Sequence, residues 1–341
     1  MLIKRLKIVH FKSIKRLDFS CSRVNLLIGE PNTGKSNILE ALGLVSWLQH
    51  IAADQAAFNP QHAYEWLRVR RGEQLFHFRD TSRKIEITLE AMNEEGETQR
   101  RYAAVQGQKD GFIFFYSGSP EDSPLLESDA NFSLIRKRPG GMVETMFIRF
   151  YRYPATLPAE EKAGVSFLLP PIGRNLSEVL LDQSNPELTS AVRELLEPAG
   201  FRLVFKTGQH EYQMELDEVR VVTFEPYLVS DTLRRMLFHT AAVLSNKNCV
   251  VTLEEPEAHA FPDYLISLAE QIARSNNQFF ITTHSPEVVY TLAKETPKGE
   301  FACFVATTDK ERGTTVTPIP YDTVLSYGTD ILANIDDFLK E

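Results

Sequence analysis

Two short stretches carry residues whose types and order can do chemistry. Gly29-Glu30-Pro31-Asn32-Thr33-Gly34-Lys35-Ser36 matches G-x-x-x-x-G-K-[ST], with the apolar run VNLLI before it and the helical pattern NILEALGLV after it. That strand–loop–helix setting is the one in which the motif cradles phosphate. Glycines let successive backbone N–H groups curl around an anion, and the helix start adds partial positive charge. Lys35 then reaches β- and γ-phosphates and Ser36 ligates Mg²⁺, with Pro31, Asn32, Thr33 and Asn37 completing the contact surface. A bare glycine-proline turn would explain the composition but not the lysine-serine pair at its end.

The second stretch is CVVTLEEPEAHAFP, Cys249 to Pro262. A buried strand ending in two carboxylates and a proline has a plain explanation: charges mark the solvent end, and Pro256 stops the ladder for want of an N–H. Beside a phosphate loop a sharper one is available. Glu254 holds the magnesium shell and Glu255 polarises an attacking water, because neighbouring strand residues point to opposite faces and cannot share one role. Further on, QFFITTHS is another buried strand with a polar tip. At the carboxyl end of a parallel strand, His284 falls where a γ-phosphate would lie.

These tips need a scaffold. LIKRLKIVHF and IKRLDFSC alternate with period two and predict a hairpin at the N-terminus; the long amphipathic helix follows the loop. LRVRR, QLFHF, KIEITLEAM, RRYAAVQ, GFIFFYSG and MFIRFYRY predict an antiparallel meander over 65–155, an outer wing of the N-terminal sheet. A helical and hairpin insertion spans 156–227, with Pro186 in a first turn, Gly200 as a cap, and FRLVFK and EYQMEL turning around Thr207-Gly208. From 228 onward strand and helix alternate, implying βαβ units and a parallel sheet. The expected architecture is α/β, one 341-residue head. Its nucleotide core lies in 1–45 and 228–341, a mostly parallel sheet flanked by helices with a β wing attached.

Composition sets outer bounds. The net charge of −9 argues against a broadly basic nucleic-acid coat. Basic clusters remain at Lys4, Arg5, Lys7, Lys12, Lys15, Arg16 and at Arg68, Arg70, Arg71. The three cysteines, Cys21, Cys249 and Cys303, show no metal spacing and no disulfide framework, so a reducing cytoplasm is expected. No apolar run is long enough for a membrane span.

In this order the loop, the strand ending EEPEAHAFP and the strand ending TTHSPEVV resemble the ABC-type ATPase heads of the RecF/SMC/OLD branch, also grouped as AAA-family ATPases. VHFKSIKRLDF looks like that branch's N-terminal strand pair, and LLPPIGRNL like a linker common there. The resemblance implies ATP and Mg²⁺ as cofactors and a homodimer that sandwiches nucleotide. It makes Glu254 the Walker B acid, Glu255 the catalytic glutamate and His284 the switch histidine, and has Lys12 approach the phosphates. Glu257-Ala258-His259 would begin a segment that crosses the dimer interface. The signature resembles Tyr227 to Arg235, YLVSDTLRR, keeping Ser230 and Asp231 but lacking the glycine that brings backbone close to the partner's γ-phosphate. The Q-loop glutamine has no clear counterpart.

No heptad arm is present, and the chain beyond TTHSP carries acids (Asp309, Asp322, Asp330, Asp336, Asp337) but is short for a Toprim domain. Three functions stay open: an ATPase controlling a separate effector, such as a nuclease or toxin of antiviral defence; a RecF-like DNA-repair ATPase; and a nucleotide-gated scaffold with little turnover.

Overall fold

Alternating LIKRLKIVHF and IKRLDFS form β1 (Leu2–Phe11) and β2 (Ile14–Ser20), antiparallel across a turn at Lys12-Ser13. VNLLI becomes β3 (Val24–Ile28), buried at every residue. A computed structural model describes residues 1–53, 63–93, 95–117, 123–137, 147–206, 209–215 and 220–339. After the loop come α1 (Lys35–Ala52) and a short α2 (Ala63–Leu67). The wing follows: β4 (Ile85–Met92), β5 (Thr98–Gly107), β6 (Gly111–Ser117), β7 (Leu126–Asp129) and β8 (Leu134–Lys137). The chain then runs through β9 (Ile148–Tyr151), α3 (Leu176–Leu181), α4 (Pro186–Leu196), β10 (Phe201–Lys206), β11 (Gln209–Glu215) and β12 (Val221–Phe224). The last third is α5 (Asp231–Leu244), β13 (Val250–Glu254), α6 (Pro262–Arg274), β14 (Gln278–Thr282), α7 (Pro286–Glu295), β15 (Phe301–Asp309), β16 (Gly313–Ile319) and α8 (Tyr321–Tyr327).

Thirteen strands of the described residues make one sheet, in the order β8-β7-β6-β5-β4-β1-β2-β16-β15-β3-β14-β13-β9. From β15 to β9 every pairing is parallel, as fully buried strands joined by crossover helices should be. The remainder is antiparallel, and β10-β11-β12 form a separate small sheet.

Three expectations give way here. MFIRFYRY is not part of the wing; as β9 it lies at the far edge of the parallel sheet beside β13, with Tyr151 opposite Leu253. Its period-two pattern cannot distinguish the two edges, because both bury one face. LRVRR and QLFHF are no strands. They form the end of α2 and two 3₁₀ turns, with one isolated ladder bridge to the sheet, Phe11–Phe76. α1 is not amphipathic: from Ile38 to Ile51 every residue is buried. It is enclosed between the wing and the parallel strands, Trp47 meeting Phe114 of β6 edge-on, and Gly43 lying where any Cβ would come within 3.1 Å of the Phe150 ring. The predicted turn at Thr207-Gly208 lies outside the described residues, but β10 and β11 pair on either side of it. Asn185 caps α4, accepting from the Leu188 N–H at 3.1 Å, with Pro186 in its first turn.

Gln278 joins parallel core to hairpin. Its fully enclosed amide accepts the Ile3 N–H at 2.7 Å and donates to the Ile3 and Ser22 carbonyls, each at 2.7 Å. Gln278→Leu strands both backbone groups of Ile3 in the core. It should cost about 2–4 kcal/mol, seen as a lower urea midpoint with unchanged slope.

His239 of α5 is buried with neither ring nitrogen bonded among the described residues, and burial, reinforced by Arg235, holds its pKa down to about 3 from an ordinary 6.5. Unfolding lets it take a proton the folded state refuses. Its stabilising effect is therefore intact above pH 6.5 and is lost as pH falls toward about 3. His239→Phe should flatten the fall in melting temperature between pH 7 and 5, where the wild type loses roughly 2 kcal/mol at this position.

Candidate functional site

β3 passes into the loop at Gly29 (φ 134°), where a Cβ would lie 2.5 Å from the Ala306 carbonyl of β15. Asn32 (φ 64°) and Gly34 (φ 92°) complete the curl. Gly34 is tighter still, for a Cβ there would meet Thr314 Oγ1 at 2.1 Å and Ser13 Oγ at 2.6 Å. Lys35 turns its ammonium back into the loop, donating to the carbonyls of Gly29 (2.8 Å) and Glu30 (2.7 Å), and Thr33 Oγ1 donates to Glu30 O. Burial lowers the Lys35 pKa; Glu255 and Glu257 oppose that shift, which puts both acids within electrostatic reach. The Asn37 and Ile38 amides bond to the Gly34 carbonyl, and those of Lys35 and Ser36 at the very start of α1 remain for an anion.

Parallel pairing sets Glu254 beside Thr282, so the ends of β13 and β14 are level. The Ser36 hydroxyl lies close enough to Glu254 to help lower its pKa. Glu255 lies just past the strand in the left-handed region (φ 42°), its N–H bonded to Thr282 O at 2.9 Å. The separation of the two acids therefore comes from this turn as well as from strand alternation. It carries backbone strain of about 1–2 kcal/mol. His284 Nε2 is 3.6 Å from Glu255 Oε1, both side chains partly open to solvent. Burial and then Lys35 lower the His284 pKa, with Glu255 opposing. Lys35, Ser36, Glu254, Glu255 and His284 thus converge from three non-adjacent segments.

Glu257 supports this arrangement. Its Oε1 accepts the His284 backbone N–H, its Oε2 is buried without a partner among the described residues, and burial raises its pKa. An acid placed to hold the histidine's backbone is a positioning residue, a role the sequence alone did not suggest.

A buried ion network lies behind Glu254. Glu40 of α1, 1% exposed, binds the ammonium of Lys12, Arg68 Nε at 2.5 Å and Arg152 at 2.7 Å. The same two arginines hold Glu254, Arg68 at 2.5 Å and Arg152 at 2.8 Å, one on each oxygen. Burial alone would raise the Glu254 pKa; Arg152 and Arg68 outweigh it and the net shift is downward. Lys12, Arg68 and Arg152 against Glu40 and Glu254 leave one excess positive charge, with Arg68 its most exposed member. Sequence reasoning missed Glu40, Arg68 and Arg152. A single acid inside the apolar helix NILEALGLVSW was the available signal.

Several expected residues take other partners. Lys12 is directed at Glu40 and the Leu67 carbonyl rather than at the loop; the neighbouring Ser13 makes that approach, bonded to Asn37 Nδ2 (2.6 Å) and Thr314 Oγ1 (2.7 Å). The turn explains the exchange: Lys12 adopts the left-handed region (φ 48°), which sends its side chain away from that of Ser13. Ser230 caps α5, accepting from Leu233 N–H at 3.4 Å, and Asp231 is bound by Arg235 at 2.6 Å. Neither bonds to the loop of its own chain among the described residues; Thr232 instead donates to the His259 carbonyl. No glutamine follows β9, and Arg152 stands there.

For a metal, no cluster of three or more His, Cys, Asp or Glu exists among the described residues. Ser36 with Glu254 fits Mg²⁺ of the kind whose remaining ligands are phosphate oxygens and water. With both Glu254 oxygens held by arginines, a water-separated position fits better than direct ligation.

Residues 1–100 match a protein family of unknown function, DUF2813. No curated protein matches the chain. Among solved structures it is similar to an SMC head bound to the C-winged helix domain of ScpA, with TM-score 0.58 and 12% identity, covering 96% of this chain and 100% of that one. The chain has the fold of an SMC head. An SMC head domain from Thermotoga maritima also matches, with TM-score 0.46 and 12% identity over 94% and 99% of the two chains. No helix of the described residues is long and apolar enough to cross a membrane.

Glu40→Gln leaves three cations facing one carboxylate. It should destabilise the protein by about 3–5 kcal/mol, measured by chemical denaturation, far more than any exposed Glu→Gln change.

Proposed function

We propose that the chain is an ATP-binding, Mg²⁺-dependent ATPase head that dimerises around ATP and controls a separate effector. The observation that supports it is the convergence of Lys35 and Ser36 with Glu254, Glu255 and His284. Lys35 and the α1 amides hold the β- and γ-phosphates. Ser36 and Glu254 hold Mg²⁺, which when bound draws charge from the phosphates. Glu255 orients and deprotonates the attacking water. His284 hydrogen-bonds the γ-phosphate; kept neutral by its lowered pKa, it leaves Glu255 a free base instead of an ion-pair partner.

Dimerisation has support beyond the resemblance. Tyr227, Leu228 and Phe261, 61%, 59% and 69% exposed, flank Ser230 and the His259 segment that Thr232 ties to it. An apolar face beside Ser230 suits a second copy, placing its Ser230 and Asp231 over this loop. Control of a nuclease or toxin in antiviral defence is the finest part of the reading and rests on the resemblance alone.

A scaffold with little turnover is the second reading. The arginines on Glu254 and the missing glycine in YLVSDTLRR favour it. The DNA-repair reading gains less, since Arg5 is paired with Asp18 and Lys15 with the Glu311 carbonyl.

Lys35→Ala should abolish nucleotide binding in calorimetry. Glu255→Gln should cut ATP turnover by about 10²–10⁴-fold while retaining ATP-linked dimers in sedimentation. Normal turnover by that variant would remove Glu255 as the base. Wild-type dimers without turnover would establish the scaffold. Duplex DNA that stimulates turnover, more weakly at higher salt, would move the reading to repair.

A further inference from the structure

A second cavity lies under the Ser230 end of α5, formed by different residues from the phosphate loop. Its cavity volume is about 220 Å³, room for a small organic ligand of about one ring. Its walls come from the coil after β9, the start of α3, β11 and the stretch 225–238. They are largely apolar and rich in aromatic rings, among them Tyr153, Leu157, Tyr212, Tyr227 and Phe238.

The polar groups in this lining are unequally satisfied. Among the described residues Glu160 takes a long bond from the Ser177 N–H (3.3 Å) on one oxygen, with the Ser177 hydroxyl also acting on the carboxylate, and its other oxygen is 3.8 Å from His210 Nδ1. Burial holds His210 down to about 4, so at neutral pH it brings no positive charge, and burial also raises Glu160. Arg234 lines the cavity too; its guanidinium reaches Asp231 at 3.4 Å, an acid that Arg235 already holds at 2.6 Å, and its Nε is buried without a partner among the described residues. With Asp231 and Arg235 paired, two acids, Glu160 inside and Glu225 at the rim, face the single guanidinium of Arg234, which leaves the lining acidic by one charge.

Serine, histidine and glutamate together invite comparison with a nucleophilic triad. The geometry opposes it. Ser177 Oγ (2.7 Å) and the Glu160 carboxylate face the same nitrogen, Nδ1, whereas a relay needs one partner on each. Ser177 is also buried and already accepts the His210 backbone N–H at 3.0 Å. The cluster can bind; it is not arranged to attack.

We propose that this cavity is a binding site for a small organic amine, its apolar body among the aromatic rings and its protonated nitrogen donating to Glu160. A cation is attracted by both features at once: tyrosine faces carry negative potential, and a half-enclosed carboxylate lacks a strong donor. The site does not depend on nucleotide chemistry, so it can be tested whether or not the chain hydrolyses ATP.

Three probes of one shape separate the terms: 2-phenylethylamine, 2-phenylethanol and 3-phenylpropionate, titrated into the full chain by calorimetry without nucleotide. The amine should bind saturably at millimolar concentration, about 10-fold tighter than the alcohol, with the acid weakest. Glu160→Gln should bring the amine down to the level of the alcohol, its folding checked by circular dichroism. Leu157→Trp, filling the cavity from its half-exposed edge, should abolish binding of all three. Equal binding by the three probes, preference for the acid, no saturable binding to the wild type, or a Glu160→Gln variant that binds the amine normally would each overturn the proposal.

Discussion

The parallel register of β3, β14 and β13 is the constraint on which the rest depends. Leu27 pairs with Thr282, and Thr282 with Glu254, so three strands end at one level although long stretches of chain separate them. Side chains at those ends need no long reach to meet. A slip of one residue in β13 would turn Glu254 to the opposite face and move Glu255 away from His284. A residue remote from the chemistry guards the neighbouring strand against such a slip: Gln278 ties β14 to Ile3.

Strand carboxyl ends alone do not make the site. The loop is pinned by Ala306 of β15 against Gly29 and, from outside the parallel core, by Ser13 and Thr314 against Gly34. β16 lies between β2 and β15, so the N-terminal hairpin is held to the loop through Thr314. The wing and the core therefore share a boundary at the point where an anion would be cradled. This is a physical reason for an F-K-S turn just ahead of a phosphate loop: the serine serves the loop, and the lysine serves the helix behind it.

Much of this was legible from residues alone. The loop, the paired acids, the histidine and the strand–helix alternation after 228 are local patterns with a fixed geometric meaning, and the structure brings their side chains together. What stayed hidden was non-local. β9 reads like any half-buried strand, and only its pairing with β13 shows that Arg152 faces Glu254. Arg68 sits in a segment whose apolar residues suggested a strand; its left-handed conformation (φ 48°), rather than any periodicity, turns it toward Glu40. Glu257 seemed part of an outward-facing segment, yet it folds under the histidine's backbone. Ion networks and positioning acids are properties of pairs distant in sequence, which single-chain periodicity does not encode.

Glu40 has a consequence for how such a chain can change over time. One carboxylate binds Lys12, Arg68 and Arg152, which come from a hairpin turn, a coil and the end of a strand. Replacement of Glu40 is the costly change, because it sets three cations against Glu254 alone, and each of the three is bound to Glu40 in turn. Their substitution histories should therefore be locked together, the four drifting as a block or standing still. A homologue with an apolar residue at position 40 would be expected to have discarded at least two of the three cations as well.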